Sequence, residues 1–119
     1  MRTLAELSAD VLQGLRITGA GETASAEDTT LVESTYTSKF AEWRRRGLVW
    51  WTYTDRSTEE IPDDVFSVLV DLIENEVAGS FGKGEGGYAK REQERMLLRD
   101  LRQLNIKPAS GEPTSFVTY

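Results

Sequence analysis

Glu76 is the residue whose position most needs a chemical explanation. On a helical wheel it falls between Leu69 and Leu72, on the apolar side of the run from Ile61 to Gly82, where an unpaired carboxylate is costly. Three roles account for it: reaching water at the rim beside Gly79, pairing with an arginine from Arg16 or the Arg44 to Arg46 group, or acid–base catalysis. Catalysis lacks a second group at any convincing spacing. The chain contains no His and no Cys, which removes imidazole and thiolate chemistry, disulfides and the zinc sites built from them. No catalytic residue, metal ligand or cofactor is expected. Glu76 reads instead as half of a structural ion pair with Arg44 or Arg45, since a planar guanidinium matches a carboxylate bidentately.

A second chemical signal is the run Gly82-Lys83-Gly84-Glu85-Gly86-Gly87, which matches G-x-G-x-x-G. The dinucleotide fingerprint needs a strand to feed a tight turn whose following helix presents its N-terminus to pyrophosphate. Here a helical pattern precedes the glycines, so a connector is the better reading. The arginines make a third signal. Arg44-Arg45-Arg46-Gly47 suits a helix C-terminus, where cations meet the negative end of the dipole and Gly tolerates the left-handed cap. Arg91, Arg95, Arg99 and Arg102 form a stripe along one side of the segment 88–104. That stripe is either solvated and paired with neighbours such as Glu92 and Glu94, or it faces acids such as Asp64, Asp71 and Glu74 on an adjacent subunit.

These residues need helices to hold them. The densest apolar stretch is 61–82. Asp63 and Asp64 suit its start, with Pro62 in the first turn, and Gly79 and Gly82 offer its stop. Val65, Phe66, Val68, Leu69, Val70, Leu72, Ile73 and Val77 cover more than half its circumference, leaving Asp64, Asp71 and Glu74 a narrow wet strip. This is the predicted central helix. Before it, Thr3-Leu4-Ala5-Glu6 has the form of a capping box, and Leu4, Leu7, Val11, Leu12 and Leu15 recur at helical spacing, predicting a helix over 4–15. Two glycines break the pattern at 17–22. Ser25 to Asp28 then opens a second helix to about Arg46, with Val32, Tyr36, Phe40 and Trp43 along one edge.

The segment Leu48-Val49-Trp50-Trp51-Thr52-Tyr53-Thr54 is β-branched and aromatic, and reads as an extended segment or short strand. Adjacent Trp side chains on such a segment point to opposite faces. One can enter the core while the other meets a partner, or both can cover the core. A fourth helix spans 88–104 with a seam of Leu97, Leu101 and Leu104. Beyond it, Pro108, Gly111 and Pro113 precede Phe116, Val117 and Tyr119, an apolar end that either folds back or docks on another chain. The expected architecture is mainly α: a four-helix domain over 1–105 with one short extended segment, followed by a flexible, extended docking tail at 106–119.

Composition narrows function further. The 119 residues suit one domain, and a net charge of −6 opposes tight binding of a phosphate backbone over the whole surface, because that affinity comes from cations displacing counterions. No apolar run approaches the length needed to cross a bilayer and the start lacks a secretory hydrophobic region, so a cytosolic protein without membrane contact is expected when it is made.

Two stretches then carry a resemblance. Gly21-Glu22-Thr23-Ala24-Ser25-Ala26-Glu27-Asp28 stands before a long helix with a late Trp. Glu60-Ile61-Pro62-Asp63 stands before an apolar helix ending Asn75-Glu76-Val77-Ala78-Gly79-Ser80-Phe81-Gly82. Over about residues 4 to 105 the chain resembles the head-to-tail adaptor, or portal-docking connector, family of tailed phages. It departs in the glycine-rich loop at 82–87 and in the Trp50-Trp51 pair. The resemblance implies a structural virion protein, not an enzyme, located in the neck between portal and tail after a period in the host cytoplasm. It implies a homo-oligomeric ring of twelve subunits beneath the portal protein ring. Such a ring extends the DNA channel without sequence-specific binding and offers a platform to the next tail or stopper protein. Phe116, Val117 and Tyr119 would dock on the portal or a neighbour. Arg91, Arg95, Arg99, Arg102, Asp64, Asp71, Glu74, Trp50 and Trp51 would lie between subunits. The competing reading is a small helical nucleic-acid-binding regulator using Arg44 to Arg46 or the arginine stripe.

Overall fold

The computed structural model describes residues 1–19, 24–82 and 87–104. Four helices account for most of them: α1 (Leu4–Gly14), α2 (Ala26–Arg45), α3 (Asp63–Val77) and α4 (Gly87–Leu104). The chain is mainly α-helical, as its periodicities predict.

Local chemistry explains the helix ends. Thr3 and Glu6 form the reciprocal capping box, each side chain bonding the other's backbone N–H, which satisfies donors that a helix start leaves orphaned. The Ser25 hydroxyl accepts from the Asp28 N–H at 3.1 Å and opens α2. Pro62 stands one residue earlier than expected: its extended ψ of 139° makes it the N-cap of α3 rather than part of its first turn. At the other end α3 tightens into a 3-10 turn, Ala78–Phe81, which Gly82 closes at φ 70°. Gly82 is therefore the stop, and Gly79 lies within the turn. One cap breaks the usual preference for glycine. Arg16, beyond the C-terminus of α1, holds φ 62°, a left-handed backbone that strains a side-chain-bearing residue.

Helix α3 is central. It packs against α1, α2 and α4, and buries Val65, Phe66, Leu69, Val70, Leu72, Ile73 and Val77. Around it close Leu4, Leu7, Val11 and Leu12 from α1, the edge Val32, Tyr36, Phe40 and Trp43 from α2, and Leu97, Leu98 and Leu101 from α4. The seam of α4 is therefore Leu97, Leu98 and Leu101. Leu104 is 47% exposed, so the expected third member of that seam lies in solvent.

The connection from α2 to α3 is long, yet it is pinned at several points. Arg56 grips the Glu33 carboxylate with Nε and Nη2, both at 2.8 Å at their closest, and Ser8 donates to the same carboxylate at 3.1 Å. The Arg56 carbonyl accepts from Ala5 N–H at 3.0 Å. Asp55 caps a turn over Ser57 and Thr58, and Glu60 accepts from Thr54 N–H. Arg2 pairs antiparallel with Ile61 as an isolated bridge. Of the extended segment or short strand expected over 48–54, no strand forms among the described residues, and Trp51 and Tyr53 pack on Phe40 of α2. The tail at 106–119 lies outside the described residues, as do 20–23 and 83–86.

Candidate interaction surfaces

Glu76 is paired, but not with the arginines expected. Its carboxylate lies 3.6 Å from Lys39 Nζ and 4.0 Å from Lys90 Nζ. Lys39 also reaches Glu94 at 3.2 Å and Glu42 at 3.9 Å, so one ammonium links α2, α3 and α4. Burial works against its charge, yet the Glu94 hydrogen bond and the fields of Glu94, Glu76 and Glu42 together hold the Lys39 pKa above its ordinary value. The correction has a structural cause. Arg44 is occupied elsewhere, donating to the Trp51 carbonyl at 3.2 Å, and Arg45 is exposed at the end of α2. Lys39 carried a legible signal: it lies three residues after Tyr36 and four before Trp43, on the flank of the buried edge.

Trp50 and Trp51 divide between surface and core, one of the two outcomes their adjacency leaves open. Trp50 is 37% exposed and Trp51 5%. Trp51 packs 6.0 Å from the Phe40 ring, and Trp50 stands edge-on to it at 5.8 Å. Trp51 is therefore a core residue, which corrects its expected place between subunits, because its ring is already covered by this chain. Trp50 remains on the surface. The Tyr36 hydroxyl beneath them is buried, and burial drives its pKa well above the ordinary value, so it stays protonated.

Most of the charged residues of the expected interface gather at two places. Arg95, Arg99 and Arg102 from α4 join Arg46 from the end of α2 around a cleft that Met96 and Leu98 also line. Arg95 is held by Glu92 at 2.6 Å and Arg46 reaches Glu42 at 3.4 Å. Arg99 and Arg102 are exposed and meet no carboxylate among the described residues. Arg91, one turn before Arg95, is exposed and outside this cleft. Arg46 was legible only as a helix end; nothing in the sequence places it beside residues some fifty positions later.

The second place is a cleft walled by Asp71 and Glu74 of α3, Leu15 after α1, and Ala89 and Lys90 near the start of α4. Burial, then the charges of Asp71 and Asp10, raise Glu74 to about 6, and burial raises Asp71. Neither carboxylate has a cationic partner among the described residues, since Lys90 is turned to Glu76. Glu74 also lies over Gly14, where a Cβ would run into its Oε2. The third expected acid, Asp64, is exposed in the first turn of α3 and joins neither cleft.

Phe116, Val117 and Tyr119 lie outside the described residues. Among the described residues no group of three or more acidic side chains is arranged to hold a metal ion, and no helix is long and apolar enough to cross a membrane. Comparison with known proteins gives no match to a family model, a curated protein or a solved structure.

Proposed function

We propose that this protein is a structural subunit of a phage-type head-to-tail connector: it assembles with copies of itself into a ring under a portal, extends the DNA channel and presents a platform for the next tail protein. One observation carries the reading. The arginine cleft and the acidic cleft sit toward opposite ends of α4, so each protomer has two different patches of opposite charge. A closed ring of identical subunits requires two unlike, complementary faces. The resemblance of 4–105 to portal-docking connectors gives that assembly its setting, in the virion neck and, before assembly, in the host cytoplasm. A net charge of −6 suits a channel through which DNA slides without sequence-specific binding.

The gathering of Arg46 with Arg95, Arg99 and Arg102 favours a second reading, a small nucleic-acid-binding regulator. The two separate cleanly in one set of measurements. Light scattering alone and with the cognate portal protein is expected to show a ring or a portal-bound complex. A monomer that ignores the portal, and whose DNA affinity falls with salt at a log–log slope of about −3 to −4 for four neutralised phosphates, overturns the connector reading in favour of the regulator.

A further inference from the structure

We propose that the arginine cleft receives the acidic cleft of a second copy of this chain, with Arg99 and Arg102 of one protomer meeting Asp71 and Glu74 of the next. The inference rests on the reading of the protein as a self-assembling subunit and names the surfaces through which it does so.

Four unpartnered charges lead to it. Arg99 and Arg102 are separated by three residues on α4, and Asp71 and Glu74 by three residues on α3. Residues three apart on a helix stand about 5–6 Å from each other on one face. Both helices therefore present two like charges as rungs of equal spacing, and the signs are opposite. Several neighbouring charges are already paired inside the protomer: Arg95 with Glu92, Arg46 with Glu42, Glu76 and Glu94 with Lys39.

The four do not satisfy one another within one chain: no ion pair joins Asp71 or Glu74 to Arg99 or Arg102 among the described residues, and they line two separate clefts. A second copy removes the obstacle and leaves each protomer with one face still open, so that addition continues until a ring closes.

The floor of the cleft selects a protein over a polyanion. Met96 is 52% exposed and supplies apolar surface in the cleft that the guanidinium groups line. Phosphates have no use for it, whereas the acidic cleft offers Leu15 beside its carboxylates. The chain's charge of −6 weighs further against a phosphate polymer. Guanidinium is suited to the role because its fork donates two parallel hydrogen bonds to a carboxylate.

Two neutral double variants test the pairing: Arg99→Gln with Arg102→Gln, and Asp71→Asn with Glu74→Gln. The first retains an intact acidic cleft, the second an intact basic one. Sedimentation velocity at low salt is expected to show each variant alone associating on the order of 100-fold more weakly than wild type, because each leaves two charges desolvated without partners. An equal mixture is expected to form a 1:1 complex that grows no further, since its one good interface consumes both intact clefts. Circular dichroism confirms that both variants are folded. Wild type that assembles while either variant assembles equally well, or a mixture that gives no 1:1 complex, overturns the pairing and leaves the connector reading standing. Loss of salt-sensitive DNA retention in the arginine variant with self-association unchanged assigns the cleft to phosphates and also overturns it. Wild type that stays monomeric with and without portal overturns the connector reading together with this one.

Discussion

Replacing Glu74 with Gln should stabilise the isolated protomer at neutral pH and leave it unchanged in acid. Partial burial and the charges of Asp71 and Asp10 raise this carboxyl from its ordinary 4.5 to about 6. At 1.36 kcal/mol per pH unit, that difference amounts to about 2 kcal/mol against the ionised form. The side chain is only half-buried, and solvent screening brings the figure to about 1 kcal/mol. The sign follows from proton linkage. The folded protein binds this proton more tightly than the unfolded chain does, so the group's contribution is fully present below about pH 4.5 and is lost as pH rises through about 6. Asp71, raised by burial, acts in the same direction. Gln removes the cost of ionisation while keeping the shape. Urea unfolding at low protein concentration, repeated from about pH 4 to 8, should show the variant more stable by about 1 kcal/mol at the alkaline end, with the two curves meeting in acid. Carbon-13 NMR titration of the Glu74 carboxyl gives the direct reading. A midpoint at the ordinary glutamate value, or a variant that follows wild type at every pH, refutes the reasoning.

Glu76→Gln should cost only about 0.5–1 kcal/mol, because its two lysine contacts at 3.6 and 4.0 Å are long and the carboxylate side chain is 31% exposed; a loss above about 2 kcal/mol in urea unfolding would indicate a far more desolvated pair. Trp51→Ala should lose about 3–5 kcal/mol through the cavity it leaves in the aromatic core, whereas Trp50→Ala should change stability by less than about 0.5 kcal/mol. Comparable losses from the two in thermal unfolding would contradict the division of that pair between core and surface. Arg16→Gly should raise stability by about 0.5–1 kcal/mol by relieving the left-handed backbone at φ 62°, and a lower denaturation midpoint would show that the arginine side chain contributes more than the strain costs.

What the sequence determined by itself is what neighbours within about four residues can determine. The capping box at Thr3 and Glu6, the Ser25 cap, the breadth of the apolar face on α3 and the α2 edge from Val32 to Trp43 follow from side-chain spacing and from donors left free at a helix start. The division of Trp50 from Trp51 was open in the sequence to two outcomes, and packing on Phe40 chose between them. A carboxylate on the buried side of α3 announced that a cation was needed but not which one. Lys39 and Lys90 supply it because α2, α3 and α4 come together there, and Arg44 does not because the Trp51 carbonyl holds it. The same crossing of helices brings Arg46 to Arg95, Arg99 and Arg102, and partly buries Glu74 beside Asp71 and Asp10 so that the acid's proton is retained toward neutral pH. Arg56 on Glu33 and the left-handed Arg16 were equally invisible, since neither position departs from ordinary loop composition. Local pattern carries which residues must be buried or capped. The distance between side chains far apart in sequence is set only when the core closes, and at an ionic surface that distance decides which charges are satisfied within the chain and which remain for another one.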